Sequence, residues 1–499
     1  MVLTLLSRLL GIVKAKVIGS VYGSGETGDV INFTYNIPNN FRKLFAEGAM
    51  SSAYVPVFSR QVSEGKQKDS NILMDLLFTY QLLLFLLIFL SSCFFGDEII
   101  DAFSSFSEEG IKLGGKLLPF FMLFLTFVSL GTIFSSLLQV HKNFFASSFA
   151  PIIFSLTVIT GILVGDNRFG TMAMAYAVLL GGVFQFLFWY LSIRKNGYKL
   201  RLAFFPKQCE FPLVLKNWLL VIGSSLIQIL GQQVSYSLAS GMETGSVTAF
   251  SNATIFWQTP YGIFFTGATT VLFPLMSQAW NRRDAEGLRK ETSRGLSQLA
   301  TFLVPSAILI FALANECVSS ILQGGAYTYE VALMTASVVR HYLVGMLFVA
   351  WYGFLQRFCY STGRYKLVLR LSILQTALDI FFSILLMRIG IGVIALPIAN
   401  NISFCICLAF LCFFIRETYA PLKDKELQGT IGKILMANIP LLIVSLIYKA
   451  QHATWWQTGS SMRNFVFACL LGIVGCAIVF VSYMLFHIPF MDMFRRKKE

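Results

Sequence analysis

Apolar runs long enough to cross a bilayer recur from one end of this chain to the other, with only short polar breaks between them. A helix needs about 20 apolar residues to span the hydrocarbon core. Read between the breaks, the runs lie at 2–22, 27–58, 72–95, 116–140, 146–165, 170–193, 216–240, 247–278, 296–322, 331–358, 367–387, 391–415, 431–448 and 464–487. They could serve as core helices of a soluble protein only if charged surface covered them. Only 13% of the 499 residues are charged and 56% are hydrophobic, against about 25% charged in a soluble domain. Mean hydropathy is +0.69. Soluble, disordered, collagen-like and disulfide-scaffold folds are excluded. The expectation is an all-α polytopic membrane protein of about 14 transmembrane helices.

Cys405, Cys407, Cys412, Cys469 and Cys476 lie inside apolar runs, where cysteine acts as a small hydrophobe. No CxxC or Cys/His spacing suggests a metal. The first run lacks a small-residue cleavage pattern after it and reads as a retained span.

An even number of spans puts both termini on one side. Loops on that side hold 27 Lys and Arg, against 6 on the other: Lys112, Lys116, Arg168, Arg388, Lys449 and Arg463. Basic residues concentrate in cytoplasmic loops, so both termini are expected in the cytoplasm. The net charge of +14 follows from this topology and carries no implication of nucleic-acid binding. Residues 279–294, with Arg282, Arg283, Arg289, Lys290 and Arg294, read as an amphipathic cytoplasmic surface helix touching anionic lipid headgroups.

The chain also contains a repeat. Glu26-Thr27-Gly28-Asp29-Val30 opens the second run and Glu243-Thr244-Gly245-Ser246-Val247 the eighth, 217 residues later. Each is followed by an interior proline, Pro38 or Pro260, then by Gly48-Ala49 with Pro56 and Ser59 or Gly267-Ala268 with Pro274 and Ser277. Both copies run inward from the non-cytoplasmic side. Parallel repeats with a site near the midplane are a transporter architecture.

Six basic residues remain within spans or at their ends: Arg8, Lys14, Lys16, Arg42, Lys43 and Arg340. A charge at the bilayer centre costs about 2.5–3.5 kcal/mol on insertion scales, so those at depth must line a wet cavity or find partners. Lys43 and Glu47 are spaced to pair on one helix face. Arg8, Lys14 and Arg42 leave a cationic excess. Arginine's planar fork suits phosphate, so an anionic, phosphate-bearing substrate is expected. Snorkelling of Arg8 and Lys14 to the membrane surface is the competing reading.

At these residues the chain resembles a known family. "SRLLGIVKA" at 7–15, "YGSGETGDV" at 22–30 and "IPNNFRKLFAEGAMSSAYVPVFS" at 37–59 are similar to the MurJ (MviN) family, with weaker support from "PYGIFF" at 260–265 and "VLFP" at 271–274. These are bacterial lipid II flippases of the multidrug/oligosaccharidyl-lipid/polysaccharide exporter superfamily. The resemblance implies an alternating-access cavity between an N-lobe, residues 1–195, and a C-lobe, residues 216–416. Two further spans within 430–490 would form a groove for the lipid tail. The family's cavity arginines fall on Arg8 and Arg42, with a third on Lys14, and its acidic residues on Asp29 and Glu47. A sodium site found in some relatives falls on Asp379, Gln375 and Ser235; the alternatives for Asp379 are a proton site or a structural hydrogen bond. Two departures stand out. Where relatives often carry Arg and Glu before the eighth-span proline this chain has Ile255 and Gln258, and the acid after the first-span cation is Ala15.

The resemblance thus implies a transporter, not an enzyme, of the bacterial cytoplasmic membrane. It would flip lipid II without a cofactor beyond a coupling sodium ion or proton, among membrane lipids. A flippase for another lipid-linked glycan is the nearest alternative. A cationic-drug exporter would need an acidic cavity. A membrane enzyme acting on polyprenyl phosphate would need a catalytic cluster, whereas His141, His341, His452 and His487 are scattered.

Overall fold

The structure is a computed structural model and describes residues 2–23, 25–45, 49–205, 210–452, 456 and 461–489. Most of the described residues are helical, and none of them forms a strand. α1 (Val2–Tyr22), α2 (Glu26–Phe45), α3 (Ala49–Ser63), α4 (Gln67–Phe94), α5 (Gly96–Phe103), α6 (Glu108–Val140), α7 (Phe144–Phe169), α8 (Met172–Arg194) and α9 (Phe211–Ser240) come first. α10 (Ser246–Asn281), α11 (Ala285–Ala312), α12 (Ala314–Ile321), α13 (Tyr329–Ser361), α14 (Tyr365–Arg388), α15 (Ala395–Ile415), α16 (Lys425–Ala437), α17 (Ile439–His452) and α18 (Ser461–Leu485) follow.

Ten helical stretches among the described residues are long and apolar enough to cross a membrane. α2 and α10, which open with the two repeat copies, are not among them, being interrupted by Asn, Thr, Gln and Pro. Helix starts follow their capping chemistry. Ser107 accepts from the Gly110 amide at 3.2 Å, Asn143 from Ala146 at 3.2 Å and Asp284 from Gly287 at 2.8 Å.

Three boundaries differ from the sequence reading. The run 296–322 is carried by α11 and α12, which part at Leu313. The run 431–448 is carried by α16 and α17, which part at Asn438, where the side-chain amide turns back to the Ile434 carbonyl at 2.8 Å just before Pro440. The amphipathic stretch 279–294 is no separate surface helix: α10 continues to Asn281, Arg283 turns with φ 57°, and α11 begins at Ala285.

The chain divides into two compact units, residues 1–248 with 325–327, and residues 249–324 with 328–499. In the first, α6 is the central helix, 78% buried over its most apolar window. Around it Leu117, Phe121, Phe124 and Val128 pack with Ile31 and Tyr35 of α2 and with Phe154 and Val158 of α7. In the second, α18 lies outermost, only 11% buried over its window, with Tyr483 and Ile488 packed against Ala300, Ile434 and Ala437. An apolar helix bare to that degree needs hydrocarbon around it.

A further element of the first unit is a strap, Tyr198–Phe205, lying along α4. Asn71, Asp75 and Thr79 are one helical turn apart, and they accept in order from the amides of Lys199 (2.9 Å), Arg201 (2.9 Å) and Ala203 (3.0 Å). Tyr198 anchors the start, its hydroxyl meeting Ser70 and the His141 ring, each at 3.1 Å.

Candidate functional site

The two repeat copies meet in the first unit. Asp29, 4% exposed, accepts from the Gly245 amide at 2.6 Å through one carboxylate oxygen and from the Thr248 amide at 2.8 Å through the other. These amides lie at the start of α10, where the first turn of a helix leaves its N–H groups without intrahelical partners and the macrodipole favours negative charge. An acid from the first copy therefore caps the helix opened by the second. One turn along α2, Asn32 donates to Thr248 Oγ1 at 3.2 Å and to the Gly28 carbonyl at 2.9 Å. Asn36 donates in turn to the Asn32 carbonyl at 2.8 Å.

The same end of the unit is closed from a second direction. Residues 325–327 return to the end of α1, where the Ala326 amide donates to the Ser20 carbonyl at 2.9 Å. A Cβ on Gly19 would stand 2.9 Å from the Tyr327 ring, and Gly23, at φ +75°, lies under Ala326. Both glycines are required by that close approach.

Of the three cations singled out in the sequence, Lys14 is the most fully described. Its ammonium donates to Tyr35 Oη at 3.2 Å and stands 4.9 Å from the centroid of the Phe154 ring. An aromatic cage of this kind stabilises a partly desolvated cation. Arg42 is half-buried on α2, its Nε donating to Asn39 Oδ1 at 3.2 Å. The backbone of Arg8 is in α1 and that of Lys43 in α2, but their side chains lie outside the described residues, as does Glu47 entirely. Ile255 and Gln258 on α10 are half-buried and bring no charge.

The residues proposed to hold a cation are divided between the units. In the second, Asp379 and Gln375 stand one turn apart on α14 and face α15. Asn400 donates to Asp379 Oδ2 at 3.1 Å, and Gln375 donates to Ser403 Oγ at 3.3 Å. Ser235, in the first unit, donates to the Gly231 carbonyl of its own helix at 3.2 Å. Among the described residues no three His, Cys, Asp or Glu side chains gather as metal ligands would.

Sequence reasoning missed Tyr35, Phe154, Thr248 and Asn400, the partners that make these charges tolerable. For Asn400 a signal existed, because Asn400-Asn401 interrupts an otherwise apolar run. For Lys14 there was none, since aromatic residues are common everywhere in this chain.

Comparison with known proteins places this arrangement in context. A profile described as "Lipid II flippase MurJ" matches residues 18–467. The chain is 31% identical over 486 residues to a probable lipid II flippase MurJ of Borreliella burgdorferi, covering 97% of this chain and 94% of that one. It is 26% identical to the corresponding protein of Rickettsia prowazekii, over 97% of this chain and 96% of the relative. Among solved structures it is similar to a lipid II flippase MurJ in an inward closed conformation, with a TM-score of 0.79 at 24% identity over 99% and 98% of the two chains. An inward-facing MATE-family multidrug transporter shares the fold at a TM-score of 0.72 and 14% identity, over 82% of this chain and 94% of that one.

Proposed function

This chain belongs to the lipid II flippase MurJ family, and from that premise we propose how its own residues move the substrate. It is a multi-pass protein of the bacterial cytoplasmic membrane and flips lipid II, the lipid-linked peptidoglycan precursor, by alternating access. Fourteen spans with cytoplasmic termini are the topology we infer, supported by the 27-to-6 bias of basic residues between the two sides.

The cargo's pyrophosphate is held by Arg8, Lys14 and Arg42. The single observation that carries this reading is the caged Lys14, a cation fixed by Tyr35 and Phe154 with no carboxylate paired to it among the described residues. Its remaining donors stay available to a phosphate oxygen. As lobes of the transport cycle we take residues 1–195 and 216–416, the division that the family resemblance implies, with 430–490 carrying the lipid tail. Asp29 holds the non-cytoplasmic end closed through the two amides it caps, and Lys43 with Glu47 forms the opposing gate. The membrane potential, negative inside, favours outward movement of an anion by about 2.3 kcal/mol per charge per 100 mV. Asp379 and Gln375, with Ser235, are the candidates for a coupling sodium ion or proton.

The test is complementation. In a bacterium depleted of its lipid II flippase the wild-type chain restores growth, and Arg42→Ala, present in the membrane at equal level, does not. Normal growth on Arg42→Ala removes the pyrophosphate assignment. Failure of the wild-type chain itself, with rescue of a strain lacking another lipid-linked glycan flippase, moves the cargo to that glycan.

A further inference from the structure

The second unit carries a lateral cleft of about 240 Å³ on α17, within the segment that the transport reading gives to the lipid tail, but facing α11 and α13 and lined by no residue of α18. Ala307 and Phe311 of α11, Leu343 of α13, and Leu442 and Leu446 of α17 are among its apolar walls, and its polar lining is Ser445 and Lys449 alone. Two cations converge on Phe311. The Lys449 ammonium stands 5.3 Å from the centroid of its ring, and Arg340 Nε donates to its carbonyl at 3.1 Å. Neither cation is in an ion pair among the described residues. The acid facing Arg340 is Glu316, whose Oε1 accepts from the Tyr448 hydroxyl at 2.9 Å. One carboxylate against two cations leaves this corner net positive.

We propose that the cleft binds one anionic glycerophospholipid, with an acyl chain along Phe311, Leu343 and Leu446 and the headgroup phosphate on Lys449 and Arg340. Hydrocarbon walls select a chain, because a polar ligand would lose its hydration there without replacement. The uncompensated charge selects an anion over a zwitterion. Guanidinium and ammonium are the two side-chain groups that hold phosphate, one as a planar fork and the other as a point charge. Lysines at helix ends in membranes tend to extend toward water; the Phe311 ring keeps this one at the mouth. The bound lipid fills the gap between α17 and its neighbours α11 and α13 and so fastens α17 to them.

Native mass spectrometry of the full-length protein in mild detergent, titrated separately with phosphatidylglycerol and phosphatidylcholine, tests this. One phosphatidylglycerol is retained preferentially by the wild type. Lys449→Gln lowers that retention about fivefold, the order expected for one cation near an anionic headgroup. Ala307→Phe, which fills the cleft with its cations intact, abolishes it, while the control Arg388→Gln leaves it unchanged. If Ala307→Phe does not yield folded protein, the Lys449→Gln comparison decides alone. Equal retention of the two lipids, or retention unchanged in Lys449→Gln, overturns the proposal. So does one-for-one displacement of phosphatidylglycerol by a polyprenyl phosphate, which would give the cleft to a polyprenyl lipid.

Discussion

Asp29 and Asp379 are both acids in helices of a membrane-spanning chain, and they are held in different ways. Asp29 accepts from two backbone amides, one on each carboxylate oxygen. For Asp379 the one hydrogen bond among the described residues comes from the Asn400 side chain. Backbone amides at a helix start cannot rotate away, so Asp29 is locked unless the α10 start itself moves. A side-chain amide can swing on its rotamers, and a carboxylate with one such partner keeps acceptor capacity for a cation or a proton. The first arrangement suits a closure that opens only as a unit, and the second suits an exchangeable ligand.

The largest effect expected is at Asp29. Asp29→Ala strands the Gly245 and Thr248 amides and removes the charge at the helix start. It should destabilise the protein by about 2–4 kcal/mol, measured by thermal unfolding in detergent, and abolish complementation. Asp29→Asn keeps one acceptor oxygen and should lose roughly half as much. An Asp29→Ala protein as stable as wild type would break the comparison at its stronger end.

Asp379→Asn should cost no more than about 1 kcal/mol, since an amide can still bond Asn400. Its transport, followed in vesicles under an imposed sodium or proton gradient, should no longer respond to that gradient. An unaltered response would return Asp379 to a structural role and erase the contrast. The half-buried Lys14 offers a third test. Tyr35→Phe keeps the ring over Lys14 and removes only the hydroxyl, with an expected loss of about 1 kcal/mol and weakened complementation at low expression. Lys14→Met should fail to complement at any level.

Outside the membrane the smallest effect is expected at Asp424. Burial would push its carboxyl up, but the Arg289 guanidinium, bonding it at 3.0 and 3.2 Å, and the Leu427 amide outweigh that and hold it below the usual range. A lowered folded value makes the contribution fully present above the unfolded carboxyl's value, about 3.9. It is lost as pH falls below that and through the folded value. Unfolding scans of wild type and Asp424→Asn should therefore differ slightly at neutral pH and converge in acid. Solvent around the exposed Arg289 side chain screens the pair and keeps the difference small.

The helices were legible because a bilayer asks one simple thing of sequence, apolar length, and the all-helical fold follows. What hydropathy does not encode is where an apolar run bends. The parting at Leu313 is marked only by Asn315-Glu316 just after it, a polar pair that a continuous span could also carry. Asn438 before Pro440 leaves a mark too, but a lone Asn also occurs in unbroken spans. For the site, the charges announced themselves by their cost, whereas their partners did not. Asp29 was conspicuous, yet its donors are backbone amides, which every residue except proline possesses. The repeat came nearer to locating them, since the two segments whose sequences matched are the two that touch.

The strap along α4 carries a constraint of its own. One helical turn between Asn71, Asp75 and Thr79 advances about 6.0 Å, while two extended residues advance about 6.6–6.8 Å. The two rulers drift by less than 1 Å at each rung, so three rungs can engage before the mismatch grows too large. Amides alternate sides along an extended chain, so inserting one residue ahead of Lys199 would turn every engaged N–H away from the helix. Inserting two would restore the facing and shift the whole tether by one notch. The strap Tyr198–Phe205 is in this sense a graduated scale, its reach set in steps rather than continuously.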